Sequence, residues 1–227
     1  MTDSTGWTIP LQEVPLVPER TLGTPPVSGH LARRLSFGQD LLPVSEAYAP
    51  AEWCAYAAGL APERTFRLLA LVCSFYPEQP DSPWIMKTGS IGLSLSTDGE
   101  APAGAVARRI DPGQRTQPVN STPSTVSFSF DAGLFSAGVE HPVGGSATGS
   151  EWVVQGYGAQ QSRLRWDFRS TRRHPLVGDH PLAVLVELEP DKEHRAEVLF
   201  SAELKHPVLG LRRHRAQLPA VTIPLTT

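Results

Sequence analysis

Cysteine, lysine and long apolar runs are scarce in this 227-residue chain. Its two cysteines, Cys54 and Cys73, exclude a disulfide framework and a four-cysteine zinc site. Two free thiols in a reducing compartment are the expected state, with one isolated disulfide as the alternative. The longest apolar run, Leu68 to Cys73, is far too short for a membrane-spanning helix. Met1-Thr2-Asp3-Ser4 opens no basic-then-apolar leader, so a cytoplasmic location is expected. Only 3 of the 20 basic residues are lysine. Arginine suits bidentate contacts with carboxylate or phosphate. A GC-rich coding sequence of the bacterial kind explains the same bias without any function.

Catalytic signatures are also missing. The chain has no Walker loop, no His-Glu-x-x-His pair and no Gly-x-Ser-x-Gly elbow. Gly156-Tyr157-Gly158 begins a dinucleotide-like pattern, but Gln161 stands where the third glycine belongs, and a hairpin turn explains it better. Gly144-Gly145-Ser146-Ala147-Thr148-Gly149 has no following lysine and reads as a loop. Asn120-Ser121-Thr122 is a bare glycosylation sequon with no leader to give it meaning. No cofactor is expected.

What the chain has is turn-formers and alternation. Its 22 prolines and 19 glycines favour strands and turns over helices. Residues 1–43 read as an extended Pro-rich arm, interrupted at Pro10, Pro15, Pro18, Pro25 and Pro26. Ile9, Leu11, Val14, Leu16 and Val17 lie between the prolines, so the arm is expected to strap across its own surface or a neighbour's. Residues 44–227 read as a β-sandwich domain with one short helix near 50–59, where Pro50 suits the first turn and Gly59 the last.

From Arg64 the apolar period becomes two. Thr65–Tyr76 reads as a central strand buried on both faces. Ile91, Leu93 and Leu95 alternate with small polar residues, as do Val126, Phe128 and Phe130. Residues 151–157 and 160–169 form one expected hairpin, and 182–189 with 195–204 a second, turned at Pro190-Asp191-Lys192. A last strand is expected at 220–225. The segments 97–124 and 136–150 read as long loops. The fold class is therefore mainly β: an antiparallel sandwich or jelly roll of about seven or eight strands.

Arg163-Leu164-Arg165-Trp166-Asp167-Phe168-Arg169 alternates sharply. Leu164, Trp166 and Phe168 should face the core, leaving the arginines on one exposed face. Residues 162–227 carry 11 basic and 8 acidic side chains, against 9 and 15 before them. Arg163, Arg165, Arg169, Arg172, Arg173, Arg212 and Arg213 are thus a candidate partner or anion surface, with Lys205 and Arg215 nearby. The richest polar loop is expected at 172–181. There His174, Asp179 and His180 are weak metal or acid-base candidates, with His194 or His206 as further ligands. Repeated His-Pro pairs at His141, His174, His180 and His206 favour a plain loop. Glu187 and Glu189 share one strand face but have no obvious reacting partner.

The expectation is an intracellular, non-catalytic interaction or structural subunit that joins a protein partner or forms a homo-oligomer. The alternatives are a metal- or small-ligand-binding enzyme using the 172–181 loop and a nucleic-acid binder using the basic C-terminal surface.

Overall fold

The computed structural model describes residues 9–18, 35–60, 64–76, 85–97, 104–115, 152–171, 174–206, 208–216 and 221–225. The chain is mainly β, built from two antiparallel sheets and one helix. In chain order the strands are β1 (Gln12–Glu13), β2 (Leu16–Pro18), β3 (Leu35–Pro43), β4 (Thr65–Phe75), β5 (Ile85–Thr97), β6 (Ala105–Asp111) and β7 (Gln114–Arg115). They continue as β8 (Val154–Tyr157), β9 (Arg163–Arg169), β10 (Gly178–Leu188), β11 (His194–His206), β12 (Gly210–Ala216) and β13 (Val221–Pro224), with helix α1 at Ala51–Leu60. The five-stranded sheet runs β1-β3-β4-β10-β6. The eight-stranded sheet runs β2-β12-β11-β5-β9-β8-β7, with β13 beside β11.

The apolar run in β4 sets this arrangement. Leu69, Leu71, Cys73 and Phe75 point between the sheets, while Phe66, Leu68, Ala70 and Val72 point the other way. The first set meets Ile91, Leu93 and Leu95 of β5, Leu164, Trp166 and Phe168 of β9, and Val198 and Phe200 of β11. Trp166 is fully buried and its indole N–H donates to the carbonyl of Pro112 at 3.2 Å. The second set is covered by Trp53 and Ala57 of α1 and by Ile9. The helix falls where proline and glycine predict it.

Several expectations are corrected. The segment 182–204 is not a hairpin: β10 pairs with β4 and β6, while β11 pairs with β5, β12 and β13. Residues 189–193 therefore cross from one sheet to the other. The same turn residues serve an arch or a hairpin, so local chemistry does not separate the two. Gly104–Arg115, read as loop, contains β6 and β7, and β12 was not foreseen. The expected end of the arm at residue 43 is corrected, because Leu35–Pro43 is a nine-residue strand, β3, paired with β4. These additions raise the count among the described residues to thirteen strands. The strand expected around Val126, Phe128 and Phe130, the loop at 136–150 and most of residues 1–34 lie outside the described residues.

The described part of the arm docks on its own chain. Ile9 to Leu11 crosses the outer side of the five-stranded sheet at Gly38, where an added Cβ would stand 2.6 Å from both Ile9 Cγ2 and the Pro10 carbonyl. β1 then extends the edge at β3, and β2 extends the other sheet at β12. Val14 and Leu16 enter the core between the sheets. At the far edge, Ala107 of β6 exchanges backbone hydrogen bonds with Gln160 and Gln161, in the β8–β9 turn, at 2.7 and 3.0 Å. Part of each edge of the sandwich is thereby covered, which blunts edge-to-edge pairing there.

Gly89 shows how tight the inner layer is: a Cβ there would lie 2.8 Å from the Phe75 ring. Gly89→Ala should therefore lower unfolding free energy in urea by about 1–3 kcal/mol with little change in the m-value.

Candidate functional site

The first polar group lies at the start of β10. Antiparallel register sets Asp179 opposite Ser74 and His180 opposite Cys73. Neighbouring residues on a strand face opposite ways, so Asp179 and His180 part company. Asp179 accepts hydrogen bonds from the Ser74 hydroxyl and, at 2.7 Å, from the Tyr76 hydroxyl. The His180 ring packs edge-on against Phe75 and Phe168, with centroids 5.5 and 5.3 Å away. Both are buried, whereas an exposed loop was expected. His174 stands apart and partly exposed, its backbone N–H held by the Thr171 hydroxyl at 3.0 Å. The suggested metal trio is thus not brought together. Among the described residues, no group of three or more His, Cys, Asp or Glu side chains is placed to hold a metal.

The further histidines have structural tasks too. His194 is buried, with Nε2 at 2.9 Å from the Glu189 carbonyl and Nδ1 at 2.9 Å from the Thr97 hydroxyl. A carbonyl only accepts, so Nε2 carries the proton and Nδ1 accepts from threonine. That arrangement ties the sheet-crossing segment to β5. His206 Nδ1 accepts from the backbone N–H groups of Val208 and Leu209, both at 3.1 Å, and so fixes the β11–β12 turn.

Glu187 and Glu189 are not a pair. Glu187 is buried and grips Arg108 in a fork, with N···O distances of 2.6 and 2.9 Å, while Arg64 lies 3.6 Å away. This carboxylate raises the Arg108 pKa. Arg108 also donates to Gln160 at 3.0 Å, so one side chain links β10, β6 and the β8–β9 turn. Glu189 instead pairs with Lys192 at 2.7 Å, chiefly through a hydrogen bond that lowers its pKa. Arg64 and Arg108 were not singled out in the sequence. Register was needed to bring them to Glu187.

The arginine strand is as expected. Arg163, Arg165 and Arg169 are exposed on the outer face of the eight-stranded sheet. Register adds two aromatics that sequence reasoning missed. The Arg165 guanidinium lies 5.4 Å from the Tyr157 ring centre, and that of Arg169 lies 5.9 Å from Trp152. Arg165 also meets Asp167 at 2.7 Å. On the other side, Ser90, Gly92 and Ser94 of β5 pair with Asp167, Arg165 and Arg163. The remaining arginines of the expected basic surface lie on other segments. β12 lies three strands from β9, roughly 14 Å. The backbones of Arg212 and Arg213 register with Leu204 and Glu203 there. Their side chains, together with Arg172, Arg173, His141, Asn120 and the Gly144–Gly149 segment, lie outside the described residues.

A separate feature is apolar. Ile85, Val208, Leu209 and Leu211 are 51, 85, 52 and 58% exposed. Ile85 and Leu211 both pair with Lys205, and Val208-Leu209 form the turn beside them. The four therefore gather at one end of the eight-stranded sheet.

No family model matches the chain, and no curated protein matches it. Among solved structures, one neighbour is the crystal structure of the Clostridium perfringens NetB toxin in the membrane inserted form. It has 7% identity over 84% of this chain and 88% of that one, with a TM-score of 0.33. A likeness at that level carries no argument. No helix among the described residues is long and apolar enough to cross a membrane.

Burial pushes the Cys73 thiol well above its ordinary 9.0, with nearby Asp179 adding to it, and desolvation likewise raises the Tyr76 phenol above 10.0. Groups raised in the folded state contribute stability that is complete below their ordinary values and is lost as pH rises toward the folded ones. Unfolding free energy should thus begin to fall above about pH 9. Cys73→Ala should reduce that slope, measured by urea titrations at a series of pH values. Cys73→Ala losing stability as steeply as the parent would refute the assignment.

Proposed function

We propose that this chain is a non-catalytic β-sandwich subunit that joins a protein partner through the apolar end of its eight-stranded sheet. The observation that carries the reading is the gathering of Ile85, Val208, Leu209 and Leu211 on one exposed end. Isolated surface leucines are ordinary, but four large apolar residues in one place favour an interface. Hydrogen bonds from both tip amides to His206 hold the turn in place, which lowers the ordering cost of docking. Lys205 lies in the patch, and the sequence holds no acid after Glu203, so the partner surface is apolar with an acidic rim.

Other features support a scaffold role over catalysis. Asp179, His194 and Glu187 each serve as links between chain segments. The arm no longer argues for exchange between subunits, because its described part lies on its own sheets. Cys54 and Cys73 are unpaired and face opposite sides of the five-stranded sheet, which supports a reducing, intracellular setting.

Native mass spectrometry of gently purified protein tests the reading. The parent chain should appear in complexes of fixed stoichiometry, with a second copy or with other proteins. Val208→Asp with Leu209→Asp should release the free chain while leaving the thermal midpoint within a few degrees. A parent chain that runs only as a free monomer at micromolar concentration would overturn the proposal.

A further inference from the structure

A second feature of the eight-stranded sheet lies toward its β8–β9 side, strands away from the β11–β12 turn. It is the outer face around β9, where Arg163, Arg165 and Arg169 stand in line on alternate positions. Each same-face step along a strand is about 6.7 Å, so the three cations track an extended backbone over about 20 Å. Tyr157 and Trp152 lie under two of the guanidinium groups. Tyr157 is 44% exposed, and the Arg165 side chain 60% exposed. Asp167 is the one acid within β9, and its surface contact with Arg165 is weak enough to yield to a ligand.

Gly92 supplies an independent observation. It sits in the middle of thirteen-residue β5, outward, beside Arg165 and Leu199. The fold gives no reason for glycine there. The Cβ of a larger residue would meet nothing nearer than Leu199 Cβ at 3.7 Å, and the backbone is not left-handed. This contrasts with Gly89 on the same strand, where Phe75 fills the space. Glycine inside a strand weakens it and often marks the close approach of a ligand. Here its absent side chain leaves a low point between Arg165 and half-exposed Leu199, flanked along β5 by Ser90 and Ser94.

We propose that this face binds single-stranded nucleic acid, with phosphates on Arg163, Arg165 and Arg169, bases stacked on Tyr157 and Trp152, and one nucleotide seated over Gly92. A sheet face that combines cations with exposed rings is a common platform for single strands, since every base offers a π-face. Spaced arginines alone would fit an acidic peptide equally well. The rings beside them and the low point favour a ligand with planar groups. Glu197 and Glu203 lie on β11, two strands from β9, and Glu197 registers with Ser94 beside the Gly92 position, so the phosphates follow β9 while only a base reaches over β5.

The test is fluorescence anisotropy of the full chain with a labelled oligothymidine of about 12 nucleotides, across a salt series. Three phosphate contacts should give a slope of log K against log salt near −2, and Arg163→Gln should reduce its magnitude by about 0.7. Tyr157→Ala should weaken binding roughly 5- to 150-fold. Gly92→Val should weaken binding at least about tenfold while keeping or raising the thermal midpoint, since valine suits a strand. A merely structural glycine would show the reverse. No binding at low salt by folded protein would overturn the proposal. So would binding that survives both Tyr157→Ala and Gly92→Val, or full competition by polyglutamate, which would point to an acidic protein. Because Val208 and Leu209 sit in the β11–β12 turn, two to three strands from β9, their aspartate variants should bind the oligonucleotide as the parent does.

Discussion

The constraint on which this structure depends is that β4 is apolar on both faces. A strand with one wet face can sit in a single layer against a core, but Leu68–Cys73 cannot. Its inner side chains require a second sheet, and the eight-stranded sheet supplies it. Its outer side chains require a further cover, which α1 and the Ile9–Leu11 segment provide together. Removing any of these layers would expose a run of side chains worth about 1.5–3 kcal/mol each in burial. The helix and the Ile9–Leu11 segment thus build a second apolar cluster on the outer side of β4, beside the core between the sheets.

Polar side chains follow the same economy of position. The buried ones occur where the chain changes layer or meets an edge. His194 holds the β10–β11 crossing to β5. Arg108, gripped by Glu187, joins the edge strand β6 to the β8–β9 turn. Asp179 gathers Ser74 and Tyr76 at the opposite end of β4. Each link satisfies groups that would otherwise cost free energy when desolvated. Each also uses residue types that, seen in sequence alone, suggest catalysis. The geometry explains them as joints.

What the sequence makes legible is the local part. Alternation in 163–169 identifies Trp166 as a core residue, and the unbroken run in β4 identifies a central strand. Pro50 and Gly59 bracket the helix. The missed parts are non-local. Pro190-Asp191-Lys192 turns a chain equally well within a sheet or between sheets, so nothing local separates the expected hairpin from the crossing that β10 and β11 make. Asp179 and His180 looked like a loop because His-Pro pairs resemble loop chemistry, yet His180-Pro181 lies inside β10. Tyr157 and Trp152 gave no signal by spacing. Their nearness to Arg165 and Arg169 follows from the β8–β9 register, which depends on a turn held by Gly158 at a φ of 93°.

The two sheets consequently differ in what they leave to solvent. The outer side of the five-stranded sheet is occupied by helix and arm, so little of it is free to meet another molecule. The eight-stranded sheet carries its charge, the exposed Tyr157 ring and its apolar end on the side that nothing in the described chain covers. Small residues on β5 make the middle of that side low, while β9 and β11 stand higher around it. A strand needs only its inner positions to hold the sandwich together, and its outer positions are then free to vary. Gly92 occupies such a position, outside any turn, where a Cβ would meet only Leu199 Cβ at 3.7 Å. The proposed nucleotide seat uses that low point, between Arg165 on β9 and Leu199 on β11.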